Sequence, residues 1–167
     1  MMEHMHQKVS DFSLHFHLEP NKKPHYLGLV HFKTNSNGQF SGCYINEHPN
    51  PEVNAVISEA VNAELLDALT LQLEKSYNSF SGYLGVDAML ITQNGNHKIH
   101  PCVEINPRFT MGLLTLELRK LIPNTNAYWE IIFSKKGCLY IEESPDIVAL
   151  TPIDKDSRFA AILHLKA

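Results

Sequence analysis

Gly82-Tyr83-Leu84-Gly85-Val86-Asp87-Ala88-Met89-Leu90-Ile91, followed beyond Asn94-Gly95 by Lys98-Ile99-His100-Pro101-Cys102-Val103-Glu104-Ile105-Asn106, decides how this chain is read. Apolar and polar residues alternate in both runs, the pattern of strands with one buried face. Asn-Gly accepts the positive φ angles of a two-residue turn, so Gly82 to Ile91 and Lys98 to Asn106 are predicted to form a hairpin. A register centred on that turn sets Asp87 opposite Cys102 and Gly85 opposite Glu104. Gly85, Asp87 and Met89 then share a face with Cys102, Glu104 and Asn106. Leu84, Val86, Ala88, Leu90, Val103 and Ile105 form the core face. Pro101 cannot donate to a ladder and marks an edge or a bulge. A bulge there would change the pairing but keep Glu104 and Asn106 on one face.

Two carboxylates on diagonal sites of a strand pair lie about 7–8 Å apart at Cα, and their side chains can converge further. Their repulsion is relieved by a cation between them. Hard divalent ions take oxygen ligands, typically one or two carboxylates together with phosphate oxygens. Asp87 and Glu104 supply the carboxylates, and Asn106 adds an amide oxygen. Arg108 follows the strand, where its planar fork suits a phosphate or a carboxylate. Gly85 leaves room for a ligand near the backbone. The competing reading of these acids is a solvated strand face.

Outward from the hairpin, Phe12, Leu14, Phe16 and Leu18 alternate with Ser13, His15 and His17, predicting a half-buried strand. Strands over His25 to Thr34 and Gln39 to Ile45, joined by Asn35-Ser36-Asn37-Gly38, complete an antiparallel meander. Asn50-Pro51 is a helix start, with Asn as cap and Pro in the first turn. The apolar period runs on to about Tyr77, long enough for two helices broken near Asn62. Thr110 caps a helix to about Leu121, stopped by Pro123. Ala127 to Phe133 and Cys138 to Glu142 are predicted as a hairpin around Lys135-Lys136-Gly137, and Ile147 to Leu150 and Phe159 to Leu165 as final strands. Hairpins outnumber crossovers, so the class is α+β with a mainly antiparallel sheet and packed helices.

The 167 residues fit a single domain spanning 1–167. A hydrophobic share of 44% with 19% charged residues is globular. A net charge of -4 argues against nucleic acid as a partner. No apolar run approaches the roughly 20 residues of a membrane span. Three cysteines, Cys43, Cys102 and Cys138, with no CxxC spacing, point to a reducing compartment, so the expected location is cytoplasmic.

Gly85-Val86-Asp87-Ala88-Met89 followed by Glu104-Ile105-Asn106-Pro107-Arg108 resembles the C-terminal signature of the ATP-grasp superfamily, which includes D-alanine–D-alanine ligase and biotin carboxylase. Asp11-Phe12-Ser13 and the strands around Gly28 and Gly42 are similar to the meander that precedes it, so the resemblance covers roughly residues 8–122. It implies that Asp87, Glu104 and Asn106 bind the magnesium (or manganese) ions of ATP, and that Arg108 contacts phosphate or an acyl-phosphate intermediate. It implies the C-terminal part of an ATP-grasp fold, supporting ATP-dependent ligation of a small carboxylate to an amine or thiol. The N-terminal substrate domain and the lysine-bearing subdomain lie outside it. They would come from a longer chain or a partner, and the chain is not expected to be active alone. The arginine that some members carry just before the first acid is replaced here by Gly85-Val86.

Two other functions are open. One is a non-catalytic binding or scaffolding module of the same fold. The other is a small metal-binding protein using histidines, for which His15 and His17, and His4 and His6, are the candidates. Zinc needs three or four convergent ligands, and no acid or cysteine stands at a telling spacing from these pairs. His100 and Cys102 lie near the acids, and Ser13 is a candidate for lining a cleft. Trp129 and Tyr128 are expected in the core, and Glu142-Glu143 at a solvated strand end.

Overall fold

Alternation along the first strand organises the molecule. In the computed structural model, which describes residues 7–134, 139, 141, 144–154 and 156–165, β1 (Gln7–Leu18) is central to one eight-stranded sheet. The other strands are β2 (His25–Thr34), β3 (Phe40–Ile45), β4 (Gly82–Gln93), β5 (Asn96–Asn106), β6 (Ala127–Phe133), β7 (Ile147–Ala149) and β8 (Phe159–His164). Their order is β5-β4-β1-β2-β3-β6-β8-β7, and every neighbouring pair is antiparallel. The predicted meander and hairpin are both present. Of the predicted strand Cys138 to Glu142 only Leu139 and Ile141 are described, and neither is in a strand; its turn, His4, His6 and Glu142-Glu143 lie outside the described residues. β6 lies between β3 and β8.

Two cores form on opposite faces of this sheet. On one face Phe12, Leu14, Phe16 and Leu18 of β1 meet Leu84, Val86, Ala88 and Leu90 of β4, all but closed to solvent. A helical stretch covers them: α1 (Pro51–Ala60), a π-helical turn at Val61–Leu65, and α2 (Leu66–Ser76). Asn50 caps α1, its side chain accepting from the Glu52 and Val53 amides. The expected break near Asn62 is not an interruption. The chain stays helical, and Leu66 N–H reaches back to the Val61 carbonyl, a five-residue step that inserts one residue. The insertion re-phases the apolar stripe, so Val53, Ile57 and Val61 and then Leu73 all reach the sheet. Each such side chain contributes roughly 1.5–3 kcal/mol on burial.

On the other face, toward the centre of the sheet, Val30, Cys43, Ile45, Ala127, Trp129 and Leu163 form the second core, under α3 (Met111–Leu121). Thr110 caps α3, its hydroxyl accepting from the Leu113 amide. Trp129 is fully buried, as expected, and its indole N–H donates to Thr115 Oγ1 of α3 at 2.8 Å. Leu116 lies against Gly28, where a Cβ would fall 2.9 Å from its Cδ2. Among the described residues no helix is long and apolar enough to cross a membrane.

Candidate functional site

The β4–β5 hairpin positions the acids, and its turn is the predicted one: Asn94 and Gly95 have φ of 53° and 78°. Near the turn the register follows expectation, with Gln93 opposite Asn96 and Met89 opposite His100. The register then shifts. Pro101, Cys102 and Val103 together face Ala88, and pairing resumes with Asp87 opposite Glu104 and Gly85 opposite Asn106. This corrects the expected pairs Asp87–Cys102 and Gly85–Glu104. The cause is Pro101, which has no N–H for the ladder and sits on the outermost strand. The bulge also turns Val103 out of the core, where it is 51% exposed, while Ile105 stays packed on the sheet.

The shift brings the two acids closer than a diagonal register would. Directly opposed residues have Cβ atoms about 4.5–5.5 Å apart. Burial, and then the Glu104 charge, push the Asp87 carboxyl up to about 6. Asn106 is buried and bridges the set: its Nδ2 donates to Asp87 Oδ2 at 3.0 Å, and its Oδ1 accepts from Arg108 Nη2 at 3.0 Å. All four predicted residues, Asp87, Glu104, Asn106 and Arg108, line one cavity of about 200 Å³.

The cavity floor is the polar face of β1. Ser13 pairs with Asp87 and His15 with Gly85 across the β1–β4 ladder. Both are buried rather than solvated, because α3 begins directly above them and brings Thr110, Met111 and Gly112 to the cavity wall. Phe32, Phe40 and Cys43 supply an apolar end. Burial pushes the Cys43 thiol up to about 12, which makes it an inert packing group. Thr110 was legible in the sequence only as a helix cap. Its closeness to Arg108 was the signal that the helix start belongs to the site.

His15 and His17 do not make a zinc site. His15 Nε2 lies 2.8 Å from Ser13 Oγ and its Nδ1 3.3 Å from Thr110 Oγ1, so both ring nitrogens are engaged with hydroxyls. The His17 ring packs against Tyr83. Among the described residues no group of three or more His, Cys, Asp or Glu side chains converges. Cys102 lies in the bulge, exposed.

The donors around Asp87 do suit a hard divalent ion. Two carboxylates offer oxygen only, and the Asn106 amide carries a third oxygen now bonded to Arg108. Asp87 is raised first by burial and then by the Glu104 charge, a cost that a cation would relieve. With two protein carboxylates, such an ion would take its remaining ligands from Asn106, from phosphate oxygens and from water.

An antiparallel meander, a long helical cover, an acidic hairpin and a capped helix at the acids define a known architecture. The chain has a partial ATP-grasp fold. Three solved structures place it there. The phosphoribosylaminoimidazole carboxylase ATPase subunit from Aquifex aeolicus matches with TM-score 0.53 and 14% identity, over 98% of this chain and 53% of that one. The biotin carboxylase domain of a single-chain bacterial carboxylase matches with TM-score 0.55 and 13% identity, over 98% of this chain and 45% of that one. N5-carboxyaminoimidazole synthetase from Staphylococcus aureus, complexed with ADP, matches with TM-score 0.53 and 14% identity, over 98% and 48%. The chain therefore spans about half the length of these ATP-grasp proteins. No family model and no curated protein matches it in sequence.

Proposed function

We propose that this chain is the metal- and phosphate-binding half of an ATP-grasp ligase. The observation that carries the proposal is the direct opposition of Asp87 and Glu104, bridged through Asn106 to Arg108 in a single cavity. Asp87, Glu104 and Asn106 would hold the magnesium (or manganese) ions of ATP. For this the Asn106 amide would rotate to offer its oxygen, releasing Arg108 toward the transferring phosphoryl group. The ions, when bound, supply charge neutralisation along the triphosphate. Phosphoryl transfer needs little else from the protein beyond in-line positioning and fixed positive charge. The product of that transfer would be an acyl phosphate on a small carboxylate, which an amine or thiol then displaces.

The rest of the nucleotide site lies elsewhere. A cavity of about 200 Å³ is smaller than the roughly 300–1,000 Å³ that encloses a drug-sized ligand. This half therefore grips the phosphate end, and the remainder of ATP and the carboxylate are held by an N-terminal half or a partner chain, in the cytoplasm. Titration calorimetry with ATP and magnesium tests the reading. Heat is expected from the wild type and none from Glu104→Ala; equal heats from the two would overturn it.

The small cavity also favours a second reading, a non-catalytic module that binds nucleotide without turning it over. That reading predicts no ATP hydrolysis when the other half is supplied.

A further inference from the structure

One buried polar group in the cavity has no part in the metal and phosphate roles above. His15 is 1% exposed, yet it sits at the centre of a hydrogen-bonded row: Ser13 Oγ at 2.8 Å on Nε2, and Thr110 Oγ1 at 3.3 Å on Nδ1. All three residues line the same cavity as Asp87 and Arg108. The surrounding backbone is shaped to the ring. A Cβ on Gly112 would fall 2.1 Å from Nε2, and one on Gly85 would fall 3.3 Å from Nδ1. Two backbone segments, from β4 and from α3, thus leave a slot for an imidazole.

The donor count in this row is informative. A neutral imidazole carries one N–H and one acceptor nitrogen. Burial lowers His15 to about 4, so it is neutral at physiological pH. With the proton on Nδ1, the ring donates to Thr110 Oγ1 and accepts from the Ser13 hydroxyl. Thr110 Oγ1 also accepts from the Leu113 amide, so its own proton is then free to point into the cavity. With the proton on Nε2, the ring donates to Ser13 Oγ and accepts from Thr110, and the Ser13 proton is the free one. In each tautomer one hydroxyl proton is offered to the cavity, and the tautomer decides which end offers it.

We propose that Ser13, His15 and Thr110 form a neutral oxyanion subsite, in which an oxygen of a phosphate or carboxylate accepts from one of the two hydroxyls and His15 sets which one. No net charge is added and no bond beyond O–H and N–H is exchanged. In a shift between the two forms Ser13 passes its proton to Nε2 and takes another from solvent in the cavity, while Thr110 receives the Nδ1 proton and releases to that solvent the one it had offered. The subsite rests on the reading of the cavity as a phosphate site and deepens it. A neutral donor there suits a position beside the metal ligands, where a second cation would repel the ion. It also explains a serine and a histidine buried where packing alone would place apolar residues, beside a Thr110 already fixed as the α3 cap.

The arrangement is not a nucleophilic dyad. A serine needs a base able to take its proton near neutral pH, and a histidine held to about 4, with a hydroxyl rather than a carboxylate behind it, is a weak one. His15 is a positioning residue.

The test uses the whole chain labelled with ¹⁵N-histidine, titrated with magnesium-ADP, and with inorganic phosphate as the nucleotide-free probe. On binding, the His15 nitrogen shifts should move toward those of a single neutral tautomer. Ser13→Ala should weaken magnesium-ADP about tenfold, the loss expected for one hydrogen bond to a charged group. A shift with phosphate alone would assign the subsite to the phosphate; a shift only when a small carboxylate such as acetate is added would assign it to the substrate carboxylate. Unchanged His15 shifts at saturation, with Ser13→Ala binding like the wild type while Glu104→Ala loses binding, would reduce the row to a structural tie and leave the nucleotide reading standing. Absence of any magnesium-ADP or phosphate binding by the wild type would sink both.

Discussion

The two faces of the β1–β4 pair are built from the same strands and follow opposite rules. Under α1 and α2 the face is apolar throughout: Phe12, Leu14 and Phe16 against Leu84, Val86 and Leu90, each at 0% exposure. Under the start of α3 the face carries Ser13, His15 and Asp87, groups whose burial costs free energy unless each is partnered. The first face stabilises the fold. The second holds desolvated polar groups around a cavity, at the expense of stability. Such a face is what the proposed phosphate and metal site requires.

The contrast can be broken at the apolar face first. Phe12→Ala should lower the unfolding free energy by about 3–5 kcal/mol in urea titrations, the range for an aromatic deleted from a core. Nucleotide affinity of the fraction that remains folded should be unchanged. A smaller loss would mean that the helical cover collapses into the space.

Acid should break the polar regions next. His15 and His31 are both nearly closed to solvent and both held to about 4 by burial. Their folded values lie below the unfolded value of about 6.5, so the unfolded chain binds more protons between the two. The stability they permit is complete above pH 6.5 and is lost as pH falls from 6.5 toward 4, on the order of 3 kcal/mol for each group. Urea midpoints measured from pH 7.5 to 4.5 should show the fall, and His31→Gln should remove about half of it.

Gly112→Ala sharpens the comparison at one atom. The added methyl meets His15 Nε2 and should cost about 1–3 kcal/mol by overpacking. In a double-mutant cycle with His15→Ala the cost should largely vanish, a coupling that additive sites would not show.

The smallest effect has the opposite sign. Asp87 is raised to about 6 by burial and by Glu104, above its unfolded value. Its contribution is therefore best below about pH 4 and is lost as pH rises through 6. Asp87→Asn should raise stability at pH 7.5 by on the order of 1 kcal/mol, after allowing for solvent screening. The same substitution should weaken magnesium-dependent nucleotide binding. Gain of stability with loss of binding is the outcome expected of a functional carboxylate, and thermal unfolding with and without magnesium-ADP measures both.

Much of this site was legible from residue order. Asp87, Glu104 and Asn106 could be put on one face because period-two alternation keeps alternate residues together whatever the pairing partner, and Arg108 was a candidate because it follows the strand with a fork suited to phosphate. Their partners were not. The register past Pro101 depends on how many residues the bulge absorbs, which turn chemistry at Asn94-Gly95 does not set. The pattern marks His15 only as one of a zinc-like pair on the polar face of a half-buried strand, because nothing local tells that a helix start ninety-five residues later will close over it. Val103 was assigned to the core by the same alternation that succeeded elsewhere, and the bulge overrode it.

Sequence by itself determined the strand and helix periods, the Asn-Gly turn, the Asn50 and Thr110 caps and the oxygen-donor character of the acidic face. These are settled by interactions within a few residues along the chain. Tertiary structure alone decided that Asp87 faces Glu104 directly, that β5 is an edge, that α3 begins over the polar face of β1, and that Ser13, His15 and Thr110 meet. Those outcomes depend on contacts between distant segments, where side-chain volume and the absence of a Cβ at Gly85 and Gly112 select one packing among several that the local pattern allows.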